Sequence, residues 1–325
     1  MRKNLSFILS VCLLLAAFAL LLAAPGEAAE NVRQGLSLCA GVIIPSLLPF
    51  FVLSGLVSGL GLPLLLGRAA GPLMRGLFGV SGASSAPFLL GLTGGYPVGA
   101  ASVADLVKTG TLSAEEGERL LPFCNNTGPA FIIGAVGSGV FASTGYGVLL
   151  YLSHIAAAVA VGVLFSRSRQ SGPPAPPLPA FQAKNLAQVL SASVKNAVGA
   201  TLNICGFVLF FTVVRGMLER AGLFTALAGA LAEGLGLELH FCRALLTGLL
   251  ELGGGVGAMK GLASTPLNLA LASFLLGFGS LSVHCQTLAA VEGTEMKCAR
   301  HFAGRILHGL LSALFTFVLF TLLRS

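Results

Sequence analysis

The fold of this chain is decided at the sequence Gly91-Leu-Thr-Gly-Gly-Tyr-Pro-Val-Gly-Ala100, where a glycine cluster interrupts a hydrophobic segment. The next apolar segment is interrupted by polar residues, in Phe123-Cys-Asn-Asn-Thr-Gly-Pro129. The second half repeats this order, with Gly248-Leu-Leu-Glu-Leu-Gly-Gly-Gly-Val-Gly-Ala258 followed by Gly277-Phe-Gly-Ser-Leu-Ser-Val-His-Cys-Gln286. The layout predicts two related halves, each with two broken hydrophobic segments.

The composition indicates an integral membrane protein. Hydrophobic residues make up 55% of the 325 residues, charged residues only 10%, and the mean hydropathy is +0.90, whereas a soluble domain carries roughly 25% charged residues. Five apolar runs approach the roughly 20 residues that cross a bilayer as a helix: Leu5–Ala24, Leu36–Val57, Thr144–Phe165, Ala197–Leu218 and Phe302–Leu323. A membrane barrel would instead alternate apolar and polar residues over about ten.

The first of these runs has two interpretations. Arg2 and Lys3 precede it and small residues follow it, as in a signal peptide. The apolar core of a signal peptide usually spans about 7–15 residues, and Leu5–Ala24 is longer. We favour an uncleaved helix, and cleavage stays open.

We predict an all-α polytopic membrane protein built as an inverted repeat, with two re-entrant helical hairpins and discontinuous transmembrane helices. The Pro/Ser-rich stretch at 166–183 cannot build a core and divides the chain. The predicted parts are an N-terminal helix and loop at 1–35, a first repeat at 36–165 with a hairpin near 81–110, the linker at 166–183, and a second repeat at 184–325 with a hairpin near 240–263.

Charge sets the predicted orientation and excludes one class of partner. The formal net charge is +7, but the basic residues stand mostly singly at the ends of apolar runs, without the clustered face that nucleic acid requires. A trace that starts with a cytoplasmic N-terminus places most Lys and Arg residues inside, Arg305 among them, as the positive-inside rule expects. The partners implied are the lipid bilayer and a small-molecule solute.

The two glycine clusters are candidate substrate-binding hairpin tips, because paired, interrupted hydrophobic segments in two halves point to a transporter's site. Half-helices that begin near Val98 and Val256 would direct positive N-terminal ends at the tips. The alternative is that the glycines only allow close helix packing. The candidate residues at the tips are Thr93, Gly94, Gly95, Tyr96, Pro97, Glu251, Gly253, Gly254 and Lys260.

Glu251 and Lys260 are the most informative of these because ionisable residues inside a membrane count by default as functional hypotheses. A mutual ion pair, or a lysine that reaches the membrane surface, is the structural alternative.

The polar interruptions are the second group of candidates. Asn125, Asn126 and Thr127 supply hydrogen-bond donors and acceptors suited to a polar ligand, and Ser280, Ser282, His284 and Gln286 do so in the second half. Satisfying the helix ends freed beside Pro129 is the competing role. We find no HExxH, GxSxG or Walker A motif and no metal-ligand spacing. We therefore expect a transporter, neither an enzyme nor a holder of a cofactor or structural metal, with Na⁺ or H⁺ as candidate coupling ions.

At these residues the chain resembles the YlbJ-type sporulation integral membrane protein family, which contains the nucleoside-recognition Gate domain. The resemblance is carried by Ile44-Pro-Ser-Leu-Leu-Pro-Phe50, Gly94-Gly-Tyr-Pro-Val-Gly99, the stretch 115–120 and Phe123-Cys-Asn-Asn-Thr-Gly-Pro129. It implies similarity to concentrative nucleoside transporters, with inverted repeats and hairpins. It also implies a role in spore maturation, at the cell membrane or outer forespore membrane of a spore-forming bacterium.

The resemblance implies movement of dipicolinate from the mother cell towards the forespore, with a nucleoside as the alternative substrate. Two opposed half-helix N-termini and Lys260 would hold the two carboxylates of dipicolinate, and Tyr96 would stack on its ring. A scaffold of the spore envelope that transports nothing is the alternative of a different class. The oligomeric state, including a homo-oligomer, stays open.

Overall fold

The computed structural model describes residues 18–61, 69–166 and 185–323, together with Val11 and Leu15. Within these ranges the regular structure is entirely helical, which confirms the predicted all-α class. The helices are α1 Pro25–Leu38, α2 Ile44–Gly59, α3 Ser85–Gly94, α4 Val98–Lys108, α5 Ala114–Cys124, α6 Ala130–Val140, α7 Thr144–Ser166, α8 Leu186–Arg220, α9 Leu223–Leu235, α10 Leu239–Leu250, α11 Leu252–Ala258, α12 Pro266–Phe278, α13 Leu281–Ala290 and α14 Ala299–Leu322.

Four helical stretches in the described part are long and apolar enough to cross a membrane, namely Thr144–Phe165, Leu186–Arg220, Pro266–Ala290 and Ala299–Leu322. Two bent helix pairs raise the number to six if each pair counts as one span. The chain is therefore a polytopic helical membrane protein, as its composition predicts.

All four predicted interruptions are breaks between helices. In the first half, α3 and α4 meet at Gly95–Pro97, and α5 and α6 at 125–129. In the second half, α10 and α11 meet at Glu251, and α12 and α13 at 279–280. The two arms of each hairpin, α3 with α4 and α10 with α11, pack against each other. The discontinuous helices are thus confirmed, while the inverted repeat and the re-entry into the membrane stay predictions.

The N-terminal region differs from the prediction. Residues 25–35, expected as part of a loop, are helical because Pro25 occupies the first helical turn and Glu27 follows it near the positive helix end. This helix continues through a π-helical turn at Cys39–Ile43 into α2. A further helix at Ala69–Phe78 was not predicted. Most of the Leu5–Ala24 run and of the 166–183 linker lies outside the described residues.

Two helices organise the packing around the breaks. The 35-residue α8 packs along α1 and α2, and α14 packs against α12, α7 and α5. Gly277 and Gly309 bring α12 and α14 close, since a Cβ on Gly277 would lie 2.8 Å from the Gly309 Cα. The breaks in α5–α6 and α12–α13 consequently lie side by side in the interior.

Some glycines of the clusters serve close packing, as the alternative interpretation expects. A Cβ on Gly91 or on Gly99 would lie within 2.1 Å of the Cys124 carbonyl oxygen. These two glycines therefore allow the first hairpin to pack directly against the end of α5. In the second hairpin, a Cβ on Gly255 would lie 2.1 Å from the Gly248 Cα. Gly95 has another role, because its φ of +81° is a left-handed conformation that favours glycine.

Candidate functional site

Residues from three of the breaks, and from α13 directly after the fourth, line one central cavity of about 60 Å³. The first hairpin contributes Gly95 and Tyr96, and the second contributes Glu251 and Gly253. The polar interruption of the first half contributes Thr127 and Gly128, and that of the second half contributes Val283 and Gln286, which lie in α13. The apolar part of the wall is formed by Ile43, Leu47, Phe131, Ile204, Val208 and Leu252. The tertiary structure thus gathers the interruptions that the sequence spreads over almost 200 positions.

Two hydroxyl groups at the central cavity connect the halves of the chain. The Tyr96 hydroxyl donates to the Leu276 carbonyl oxygen at 3.1 Å, and the Thr127 hydroxyl donates to the same oxygen at 2.9 Å. Leu276 lies in the last turn of α12, where carbonyl groups lack intrahelical partners. The break between α12 and α13 therefore supplies the acceptor, and the first half supplies both donors.

Glu251 occupies the N-terminal end of α11. Its side-chain Oε1 accepts from the Gly253 backbone N–H at 2.8 Å, and its Oε2 accepts from the Gly254 N–H. A carboxylate stabilises a helix N-terminus by capping and by its charge. This half-helix end, which begins at Leu252 and not near Val256, is therefore already satisfied and offers no free N–H pair to an anion.

Gln286 presents an amide to the cavity. It is 3% exposed, lines the cavity, and donates from Nε2 to the Ser282 hydroxyl at 3.3 Å. Ser280 is fully buried and caps α13 by accepting from the Val283 N–H at 3.2 Å. Gln286 is thus the residue of this group that lines the cavity, and Ser280 and Ser282 hold the helix beneath it.

Asn125 and Asn126 lie behind the cavity wall, where both are fully buried. Asn125 donates from Nδ2 to the Thr287 hydroxyl at 2.8 Å and accepts at Oδ1 from the Ala100 N–H at 3.4 Å. Asn126 donates to the Phe123 carbonyl oxygen at 2.8 Å. The asparagines therefore satisfy freed helix ends, as the competing interpretation proposed, and only Thr127 of this group lines the cavity.

The remaining predicted residues lie elsewhere. Thr93 is exposed, and its hydroxyl donates to the Leu89 carbonyl oxygen of its own helix at 2.9 Å. Lys260 is exposed in the turn after α11 and does not line the cavity. It forms no ion pair with Glu251, so of the two structural alternatives the mutual ion pair is absent among the described residues. His284 is buried with its Nδ1 3.2 Å from the His301 Nε2. Pro97 and Gly94 are buried within the first hairpin.

Sequence reasoning missed Arg305. We counted it as a topology marker near the membrane surface, but it is fully buried in α14 and lies next to the residues behind the cavity. Its guanidinium donates to the Tyr96 hydroxyl and to the Gly277 carbonyl oxygen, and its Cζ lies 5.3 Å from the centre of the Tyr96 ring. The signal was present, because Arg305 follows the start of a long apolar helix by two turns.

Two larger cavities flank the central cavity along α8. The first, which we name the α8 N-terminal cavity, has about 800 Å³ and contacts α8 between Asn185 and Ala200. The second, the α8 C-terminal cavity, has about 270 Å³ and contacts α8 between Phe211 and Arg215. The central cavity touches α8 between them, at Ile204 and Val208. The three cavities therefore follow one another along a helix of 35 residues, which spans about 50 Å.

The hairpin breaks separate these cavities. Gly95 and Tyr96 line the central cavity, while the next two residues, Pro97 and Val98, line the α8 N-terminal cavity. Glu251 lines both the central and the α8 C-terminal cavity. Each hairpin tip is thus the partition between the centre and one flank.

Comparison with known proteins adds the family. No protein-family model matches the chain. The sporulation integral membrane protein YlbJ of Bacillus subtilis (strain 168) is 32% identical to it, over 94% of this chain and 82% of the relative. The chain belongs to the YlbJ family. Membership in this family of sporulation integral membrane proteins agrees with the resemblance carried by its first-half motifs.

This YlbJ-family chain is similar to solved structures of CNTnw, which are concentrative nucleoside transporter structures. An outward-facing state of a doubly substituted CNTnw has a TM-score of 0.56, with 14% identity over 99% of this chain and 86% of the other. The intermediate 3 state of a singly substituted CNTnw has a TM-score of 0.52, with 14% identity over 98% and 86%. At this identity the likeness shows the fold alone.

Proposed function

We propose that this chain is a secondary membrane transporter, not an enzyme, and that it binds a small polar solute in the central cavity. One observation carries the proposal: the cavity is lined by three of the helix breaks and by α13, which follows the fourth, and the two hairpin tips separate it from a larger cavity on either flank. Broken helices expose backbone groups that the membrane tolerates only around protein or water-filled cavities. A scaffold protein has no need of them.

The arrangement supports alternating access with the hairpin tips as gates. The central volume of about 60 Å³ holds roughly two water molecules, so binding of a solute requires the cavity to widen. Movement of Gly95 and Tyr96 away from Thr127 would join the centre to the α8 N-terminal cavity. Movement of Glu251 and Gly253 would join it to the α8 C-terminal cavity. Rocking of one such unit against the rest is the usual transport motion in folds of this kind.

For the substrate we propose a dicarboxylate of the dipicolinate type, moved from the mother cell towards the forespore across the cell membrane or outer forespore membrane. Lys260 and the α11 N-terminus no longer support this choice, but Arg305 does. Its positive charge has no carboxylate partner and lies directly behind Tyr96, which lines the cavity. Two opposite unit charges roughly 8 Å apart attract by about 2 kcal/mol at an effective dielectric constant of about 20.

A nucleoside is the second candidate, and a different observation favours it. Glu251 lines the cavity itself, whereas Arg305 is one residue behind. A carboxylate and the amide of Gln286 are suited to hydroxyl and base edges of a neutral solute. The fold similarity to CNTnw supports the same candidate only as analogy, because a fold does not specify a function.

Uptake into liposomes tests the proposal. Purified protein is reconstituted, and accumulation of radiolabelled dipicolinate and of radiolabelled uridine is measured against protein-free vesicles. We expect protein-dependent uptake of dipicolinate that exceeds that of uridine. The reverse order would assign the nucleoside. Transport of neither compound would refute both substrates and favour the scaffold.

A further inference from the structure

Arg305 is a buried cation held by oxygen atoms. It is 0% exposed and is the largest fully buried side chain in the described part of the protein. Its Nη2 donates to the Gly277 carbonyl oxygen and to the Tyr96 hydroxyl, and its Nη1 lies 3.5 Å from the Asn126 Oδ1. The remaining contact is to His308, whose Nδ1 lies 2.9 Å from the Arg305 Nη1.

No acidic side chain of the chain neutralises this charge. All twelve Asp and Glu residues of the sequence lie within the described ranges. The ion pairs found there join Arg33 to Glu30, Arg220 to Glu27 and Arg243 to Glu219. Burial of an unpaired ion is strongly unfavourable unless other groups replace its hydration, so the oxygen atoms around Arg305 must do so.

Two of these oxygen atoms lie at the ends of broken helices, namely the Gly277 backbone carbonyl oxygen and the Asn126 side-chain oxygen, and the third is the Tyr96 hydroxyl of the first hairpin. Gly277 precedes the last residue of α12, and Asn126 follows the end of α5 at Cys124. Carbonyl groups at a helix C-terminus lack intrahelical partners and carry the negative end of the helix dipole. The Tyr96 ring adds a face 5.3 Å from the Arg305 Cζ, within the range of a cation–π contact.

The neighbouring histidine adds no second charge. A guanidinium N–H can only donate, so the His308 Nδ1 accepts from Arg305. The His308 Nε2 then carries the single ring proton and donates to the His154 carbonyl oxygen at 3.1 Å. His308 is therefore neutral, and the guanidinium is the one cation among these contacts.

We propose that Arg305 is a built-in cation, which takes the place between the ends of α5 and α12 that a bound coupling Na⁺ would otherwise occupy. In secondary transporters with discontinuous helices, unwound carbonyls and half-helix C-terminal ends coordinate the coupling ion. Here a covalently attached charge fills such a position. It stabilises the two breaks permanently, and Na⁺ is not needed there.

The proposal that Arg305 replaces a coupling Na⁺ rests on the proposed transport function. Its test measures protein stability and not transport, so this proposal and the proposed function can fail independently. In Arg305→Ala the oxygen atoms are left without their cation, and we expect the melting temperature to fall by about 5 °C or more. Guanidinium chloride at 20 mM should restore several degrees. Urea at 20 mM has a similar shape but no charge, and should restore none. Arg33→Ala, at an exposed arginine, should respond equally to both compounds.

Three outcomes would overturn the proposal. The first is equal melting of folded Arg305→Ala in guanidinium and urea. If Arg305→Ala fails to fold, two other variants are compared: Arg305→Lys, which keeps the charge, should be more stable than Arg305→Met, which removes it. The second refuting outcome is an Arg305→Met protein that is as stable as the wild type. The third is a lower wild-type melting temperature when NaCl is replaced by choline chloride, because Na⁺ would then bind despite Arg305.

Discussion

The shared acceptor between the two halves allows a prediction in which the effect of two substitutions exceeds their sum. Thr127 and Tyr96 both donate to the Leu276 carbonyl oxygen, at 2.9 and 3.1 Å. Thr127→Val removes one hydroxyl and keeps the side-chain shape, and Tyr96→Phe removes the other. The control Thr127→Ser keeps a hydroxyl at position 127, and a second control, Thr212→Val, removes a hydroxyl that bonds within α8 to Val208.

The magnitudes follow from what each change leaves behind. Thr127→Val leaves the Leu276 oxygen with its Tyr96 donor, so the cost is that of an ordinary hydrogen bond, about 1 kcal/mol. Tyr96→Phe also deprives Arg305 of an acceptor, and bonds to charged groups are worth about 1.5–3 kcal/mol. The double variant leaves a buried carbonyl with neither donor, which adds a desolvation penalty of about 1–3 kcal/mol. We expect a coupling energy of about 1 kcal/mol beyond additivity.

A thiol-reactive fluorescent dye measures the unfolding, because Cys124 and Cys242 are buried free thiols that unfolding exposes. One kcal/mol corresponds to roughly 2–4 °C in proteins of 150–250 residues. The double variant should therefore melt several degrees below the sum of the single shifts. Shifts that add within about 0.5 kcal/mol would show that the Leu276 oxygen is not shared, and would refute the account of how the two halves are joined at the cavity.

The other predictions concern the hairpins. Gly99→Ala should lower stability by about 1–3 kcal/mol through overpacking against the Cys124 carbonyl. The control Gly229→Ala should not, because a Cβ there would have no heavy atom within 4 Å. Equal melting temperatures of the two variants would contradict the packing of the first hairpin. Glu251→Ala should cost about 1 kcal/mol by loss of the α11 cap and should also slow uptake. Ser113→Ala removes the cap of α5 and lines none of the three cavities, so it should cost a similar amount and leave uptake normal. Lys260→Met should leave uptake unchanged because Lys260 is exposed away from the cavity, and a loss of affinity in that variant would restore Lys260 to the site.

Local sequence determined the class of the fold and the positions of the breaks. Long apolar runs have one solution in a bilayer, since a helix satisfies its own backbone. Glycine clusters and polar interruptions end such helices locally, so the breaks at Gly95 and Asn125, and those at Glu251 and Ser280, were predictable from neighbouring residues. The prediction was wrong at residues 25–35, where polar composition concealed a helix that begins at Pro25.

Tertiary structure alone decided which residues at the breaks line the cavity. Asn125 and Thr127 are two positions apart, yet the first bonds to Thr287 behind the wall and the second lines the cavity, because helix packing sets the direction of each side chain. We interpreted Arg305 as a surface arginine, because its position inside an apolar helix does not by itself identify its partners. It is buried because α14 packs against α5 and α12 and brings its charge to the Gly277 carbonyl oxygen at the end of α12 and to the Asn126 side chain after α5. Such contacts join residues far apart in the chain, and no local pattern of residues encodes them.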